Sequence, residues 1–190
     1  MSSSFDPHRL DVEAFAQQQA LLSGHASLAD YPRLASEARP SPEQPEATAD
    51  ERAEVTWQAR GERRRGADGV TYPALHLQAD VRLALTCQRC LGAVQVPLRV
   101  DRHFLFAADE AAAAALDEAC DDDVLALAHD YDLHALIEDE LLMALPLVPR
   151  HAECPEAVRL SAQDAGFEAA LAEKTQPFAA LAALKGRKAH

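Results

Sequence analysis

No stretch of this chain approaches the roughly 20 consecutive apolar residues that a membrane-spanning helix needs. Residues 1–19 are polar and mixed, without the charged start and apolar run of a secretory leader. Cysteine is scarce: four in 190 residues cannot build the disulfide framework of a small secreted domain. Reduced thiols and a cytoplasmic location, with no membrane partner, are the expectation. Aromatics are few, at 5%, while the total hydrophobic share of 48% is ordinary and rests largely on alanine. A Gly-rich phosphate loop, a nucleophile elbow and an HExxH pair are all missing. Little in the chain therefore points to an enzyme.

Positive charge is also short. The chain has 18 Lys and Arg against 31 Asp and Glu, a net of -13. Phosphate neutralisation needs cations, so the total argues against a simple nucleic-acid binder. The distribution is uneven, however. Residues 52–102 carry 9 basic and 5 acidic side chains, whereas residues 103–149 carry 12 acidic and no Lys or Arg. A basic stretch followed by a purely acidic one implies two faces, and so two kinds of partner. A merely solvated acidic helix surface is the alternative.

The pattern predicts a helix over 10–22, with Asp11 near its start and Gly24 beyond its end. Residues 38–50 hold Pro40, Pro42 and Pro45 among polar residues, a composition that reads as a linker. From Ala53 the period becomes two: Val55, Trp57 and Ala59 alternate with polar neighbours. Residues 61–69 contain three consecutive arginines and Asp68-Gly69 and read as a turn. Alternation returns over 75–85 and 94–106, with Cys87 to Gly92 as the hairpin link. Three such strands imply an antiparallel, curved sheet. A helix is expected over 109–120. The clearest helix is 132–145, where Leu133, Leu136, Ile137, Leu141, Ala144 and Leu145 form one stripe and Glu138, Asp139 and Glu140 occupy the rest. Asp132 suits its N-cap, and Pro146 and Pro149 send the chain outward to His151. A weaker helical signal follows over 163–174, and 177–185 is a short final apolar segment with a basic end.

Cys87 and Cys90 are two residues apart, a spacing that lets both sulfurs reach one ion. His151 and Cys154 can supply two further corners, giving a Cys3His set typical of structural zinc. Four protein donors would leave no position for a catalytic water. Two other readings stand beside this one. In the first, the Cys87 and Cys90 pair is a redox dithiol, although the flanking segments read as strands and not as the helix start that such pairs use; in the second, the cysteines simply pack. Cys120 has no close partner in sequence and reads as a small buried group.

Arg60, Arg63, Arg64 and Arg65 cluster in the expected turn, and Arg89 lies between the two cysteines. Guanidinium groups at a loop tip can grip phosphates, so RNA contact is assigned to these five, with a solubilising loop as the bland alternative. Glu138, Asp139 and Glu140 are assigned to contact with a basic protein. Carboxylates consecutive on an exposed helix diverge and do not converge on one ion.

Cys87-Gln88-Arg89-Cys90 after an alternating strand, then Leu136-Ile137-Glu138-Asp139-Glu140-Leu141 running on to Pro146 and Pro149, then a His and a Cys, then Gln176-Pro177-Phe178 with Leu181 and Leu184, resembles the YceD family. That family is also called the large ribosomal RNA subunit accumulation protein. The likeness spans about 5–188 and weakens in the Pro-rich linker. It implies a role in processing or accumulation of 23S ribosomal RNA of the large subunit in bacteria, and it implies no catalytic residue. The expected function is thus a non-enzymatic ribosome-biogenesis factor, acting on large-subunit RNA or its precursor, on a basic ribosomal protein, or on both. A metal- or thiol-dependent enzyme acting on RNA is the rival. The expected fold is α+β: a curved antiparallel sheet packed by helices, with an N-terminal helix and an extended C-terminal tail. One domain is expected over 1–190, comprising a helical segment 1–37, a linker 38–52, a core 53–149 and a tail 150–190.

Overall fold

The structure, a computed structural model, describes residues 5–39, 53–66, 68–120 and 122–155, together with 164, 166, 167 and 169. The expected linker over 40–52 and the final segment over 177–185 lie outside the described residues, as does most of the weak helix over 163–174. The chain divides into two compact units, Met1–Cys154 and Pro155–His190. In the second, the described turn has the Phe167 amide donating to the Asp164 carbonyl at 2.9 Å.

The first unit is an open, five-stranded, mixed sheet in the order β1-β2-β3-β4-β5, an α+β fold. The strands are β1 (Leu21–Ser27), β2 (Glu54–Arg65), β3 (Thr71–Thr86), β4 (Ala93–Ala107) and β5 (Asp123–Ala126). The helices are α1 (Val12–Gln17), α2 (Pro32–Glu37), α3 (Glu110–Asp117) and α4 (Leu133–Met143), and a short 3-10 turn covers Leu28–Asp30. β1 to β4 pair antiparallel, as consecutive alternating strands should. β5 pairs parallel to β4, so the sheet is not purely antiparallel. The α3 crossover is what returns the chain in the same direction.

Odd positions of β3 and even positions of β4 point to one face, and there Leu75, Leu77, Leu83, Leu98, Phe104 and Phe106 are buried. Phe15 of α1, Tyr31 ahead of α2, and Leu133, Ile137 and Leu141 of α4 complete this core. Each fully buried large side chain contributes roughly 1.5–3 kcal/mol of transfer free energy, so the core face fixes the register of the long strands. The α4 N-cap is as expected: Asp132 accepts from the amides of His134 at 2.9 Å and Ala135 at 3.1 Å. Asp109 caps α3 in the same way, accepting from Ala112 at 2.8 Å.

Three expectations are corrected. The helix expected over 10–22 stops at Gln17, and the chain turns through Gln19, at φ 48, into β1. β1 is an edge strand without β-branched residues, so its sequence carries little strand signal. It fits because Gly24 lies against Trp57; an added Cβ would sit 2.7 Å from the indole Cζ2. The turn expected over 61–69 is instead strand up to Arg65, and only 66–70 turns back. Gly61 marks close backbone approach, not a bend. Its amide donates to the Ala20 carbonyl at 2.9 Å, and a Cβ there would lie 2.3 Å from the Phe15 carbonyl oxygen. Finally, the sheet expected to be antiparallel gains a parallel fifth strand, the four-residue β5, which the sequence reading did not mark.

Candidate metal centre

β3 delivers Cys87 at its end and β4 starts at Ala93, so the first pair occupies a knuckle between two strands. No helix begins there, so the pair lacks the helix N-terminus on which thioredoxin-like redox dithiols sit. The Cys87 amide donates to the Gly92 carbonyl at 2.8 Å, and the Leu91 amide donates to the Cys87 carbonyl at 2.8 Å. Leu91 takes the left-handed conformation, φ 59, which closes the turn tightly enough to aim both sulfurs inward. After α4, Pro146 and Pro149 lead the chain back across this knuckle, and the Gln88 amide donates to the Pro149 carbonyl at 2.9 Å. His151 and Cys154 therefore arrive beside the first pair.

The four donor atoms of Cys87, Cys90, His151 and Cys154 all lie within 4.8 Å of one another. His151 Nδ1 is 3.4 Å from Cys90 Sγ. Its Nε2 is 2.9 Å from the Ala93 carbonyl oxygen. A carbonyl only accepts, so Nε2 carries the proton and Nδ1 presents a lone pair to the cluster, the outer-shell arrangement of a metal-bound imidazole. The His151 amide also donates to Cys87 Sγ at 3.4 Å. Burial pushes the Cys87 thiol up, but amides of Cys90, His151 and Arg89 directed at the sulfur outweigh it and bring it down to about 5. Burial, and then the neighbouring Cys90 and Cys87, push the Cys154 thiol up. Three thiols and an imidazole in this geometry suit a tetrahedral zinc ion, which needs S···S edges of about 3.8 Å.

The arginines do not form one surface. Arg60, Arg63, Arg64 and Arg65 lie on β2, not on a loop. Strand alternation puts Arg60 and Arg64 on one face and Arg63 and Arg65 on the other. Arg64 is paired with Asp122 at 3.1 Å, and Arg65 Nε donates to the Gly69 carbonyl at 2.9 Å. Arg60 and Arg63 are exposed. Arg64 is opposite Tyr72 at the start of β3, whereas Arg89 follows the end of that strand. The two sites are thus at opposite ends of the sheet, tens of ångströms apart at about 3.3 Å per residue. What stands near Arg89 is Arg39, whose guanidinium donates to the Leu91 carbonyl. Arg150, next to His151, is exposed, as are Leu91, Leu147 and Val148.

The acidic face is corrected too. Glu138 and Glu140 are buried, at 6% and 4% exposure. Glu138 caps α2: it accepts from the amides of Arg33 at 2.7 Å and Leu34 at 3.2 Å, and from Arg33 Nε at 2.8 Å. Glu140 faces Arg102 at 3.8 Å. Only Asp139 is exposed, and it takes Arg33 Nη1 at 2.6 Å. The physical reason is that α4 packs against α2 as well as the sheet, so its inward arc is wider than the apolar stripe. Arg102 carried the signal, since it interrupts the inward apolar positions of β4 between Val100 and Phe104. Cys120 is half-buried, packing against Ala74, Leu105 and Leu116.

Fold and site together define an α+β protein whose sheet ends in a Cys3His cluster. Residues 75–185 match the family described as large ribosomal RNA subunit accumulation protein YceD, and the chain belongs to that family. A protein of that name from Haemophilus influenzae is 34% identical over 111 residues, which cover 57% of this chain and 63% of the relative. The chain thus spans somewhat less than two thirds of that relative's length. No solved structure matches. No helix among the described residues is long and apolar enough to cross a membrane.

Proposed function

We propose that this chain is a non-enzymatic cytoplasmic factor that supports processing or accumulation of 23S ribosomal RNA, through a rigid tip held by one structural zinc ion. The observation that carries the reading is the convergence of Cys87, Cys90, His151 and Cys154 from two distant segments, in a member of a family named for large-subunit RNA accumulation. The ion would tie the β3–β4 knuckle to the segment after α4. Arg89 and Arg150 project from that tip beside exposed Leu91, Leu147 and Val148, and they replace the β2 arginines as the favoured RNA contact. A tetrahedral ion with four protein ligands has no corner for a reacting water, which weighs against the rival metal-dependent enzyme. Full burial of Cys87 weighs against the rival thiol nucleophile.

A second reading, escort of a basic ribosomal protein, passes from α4 to α3, where Asp109, Glu110, Asp117 and Glu118 are all exposed. Depletion of the protein in its own cells tests the first reading. Mature 23S RNA should fall relative to 16S RNA and recover with the wild-type chain, less so with the C87S/C90S chain. An unchanged ratio on depletion would overturn it. Crosslinking in the same cells distinguishes the partners, with RNA attached near Arg89 or a basic protein attached near α3.

A further inference from the structure

The sheet face opposite the core holds a second convergence of metal donors. His76 on β3 is paired across the ladders with Arg60 of β2 and with His103 of β4. Glu62 lies two residues beyond Arg60, on the same face of β2. Three adjacent strands thus each bring one donor to the same patch, and the atoms of Glu62, His76 and His103 all lie within 4.8 Å of one another. All three side chains are partly buried, at 29%, 23% and 36% exposure. The imidazoles stack in parallel, with centroids 4.0 Å apart at 6°.

Two details separate this from an ordinary polar cross-strand cluster. Glu62 Oε2 and His103 Nε2 are 3.8 Å apart, too far for a hydrogen bond. Ligands of a first-row ion at 2.0–2.2 Å stand about 3.3–3.5 Å apart in a tetrahedron, so this pair needs only a few tenths of an ångström of closure. His76 is also held by a carboxylate, since its Nε2 lies 2.6 Å from Asp101 Oδ1, and the other Asp101 oxygen accepts from Gln78 Nε2 at 3.0 Å. That is the outer-shell carboxylate that orients a ligating imidazole.

We propose that Glu62, His76 and His103 form a second site, for a divalent transition-metal ion of the zinc, cobalt and nickel class. Two imidazoles and one carboxylate suit such borderline ions; magnesium and calcium favour all-oxygen shells. Three protein ligands leave a coordination position open, and the cluster borders solvent, since Arg60 and Asp101 beside His76 are exposed. The site differs from the cysteine cluster in composition and in location. Its stacked rings must slip apart to converge on an ion, so it binds more weakly than the cysteine set.

Cobalt(II) titration of the untagged, reduced full chain tests this. Thiolate ligation produces intense charge-transfer absorption, whereas a nitrogen and oxygen site yields only weak visible bands. The expected result is one equivalent with the thiolate signature and a second without it. H103N and E62Q should each weaken the second at least tenfold and leave the first intact, and that intact first signature reports a folded chain. H8N, elsewhere on the molecule, should change neither. Uptake that ends without a thiolate-free equivalent overturns the proposal. So does a second equivalent that survives H103N and E62Q, or one that disappears in H8N.

Discussion

Replacing Glu138 with alanine distinguishes a side chain that holds the fold from one that greets a partner. Its carboxylate accepts three hydrogen bonds from Arg33 and Leu34 and is 6% exposed. Truncation orphans the Leu34 amide in a buried place, at a cost of about 1–3 kcal/mol. It also removes the α2 cap, an effect of about 1 kcal/mol that overlaps the first. The ion pair with half-exposed Arg33 is screened by solvent and adds little. The sum is about 3 kcal/mol, which for a domain of this size lowers Tm by roughly 6–12 °C. Circular dichroism melts of wild type, E138A and D139A are the assay, with D139A expected within about 0.5 kcal/mol of wild type.

The pH dependence of E138Q adds a second check. Burial pushes the Glu138 carboxyl up, but hydrogen bonds from the Leu34 amide and from Arg33 outweigh it and hold it below the usual glutamate range. A depressed folded-state value gives stability that is complete above the unfolded value and lost as pH falls through the folded one. The gap between wild type and E138Q should therefore be full at neutral pH and close under acid. An E138A chain as stable as wild type, or a gap that widens in acid, would refute the reasoning.

Three further outcomes are expected. G61A should destabilise by more than about 2 kcal/mol in denaturant titration, because the obstacle to its Cβ is the Phe15 backbone and not a movable side chain. Glu140 behaves oppositely to Glu138. Burial raises its carboxyl, with Asp123 and Asp139 adding to this and Arg102 opposing, so its charge costs stability once pH rises above the ordinary glutamate range. E140Q should accordingly be neutral or slightly stabilising at pH 7, and its advantage should vanish in acid melts. R89A/R150A should weaken binding to large-subunit RNA and flatten its dependence on salt by about 1.5 in the log–log slope, whereas R65A, whose guanidinium already serves its own turn, should change little in the same filter assay.

Much of this architecture is written locally. The period-two runs marked β2, β3 and β4, and the apolar stripe with Asp132 marked α4, because each signal lies within one element. The cysteine set was legible because soft ligands are rare in this chain and their pairing is short-range at each end. β1 and β5 were not legible. β1 gains its place from the Trp57 and Gly24 fit across the ladder, and β5 is short and follows acidic residues. The fates of Glu138 and Glu140 depend on Arg33 and Arg102, partners far away in sequence. The arginine cluster misled because a run of three cations looks like a turn, although Gly61 was the residue that a strand under a crossing backbone requires.

A metal-locked tip is the central proposal. Its most direct test is elemental analysis of reduced chain purified without chelator, read together with a count of reactive thiols before and after chelation. The account predicts about one zinc per chain, with Cys87, Cys90 and Cys154 protected from thiol reagent until a chelator removes the ion and only Cys120 reacting at first. A metal-free chain with Cys90 and Cys154 reacting as readily as Cys120 would contradict it.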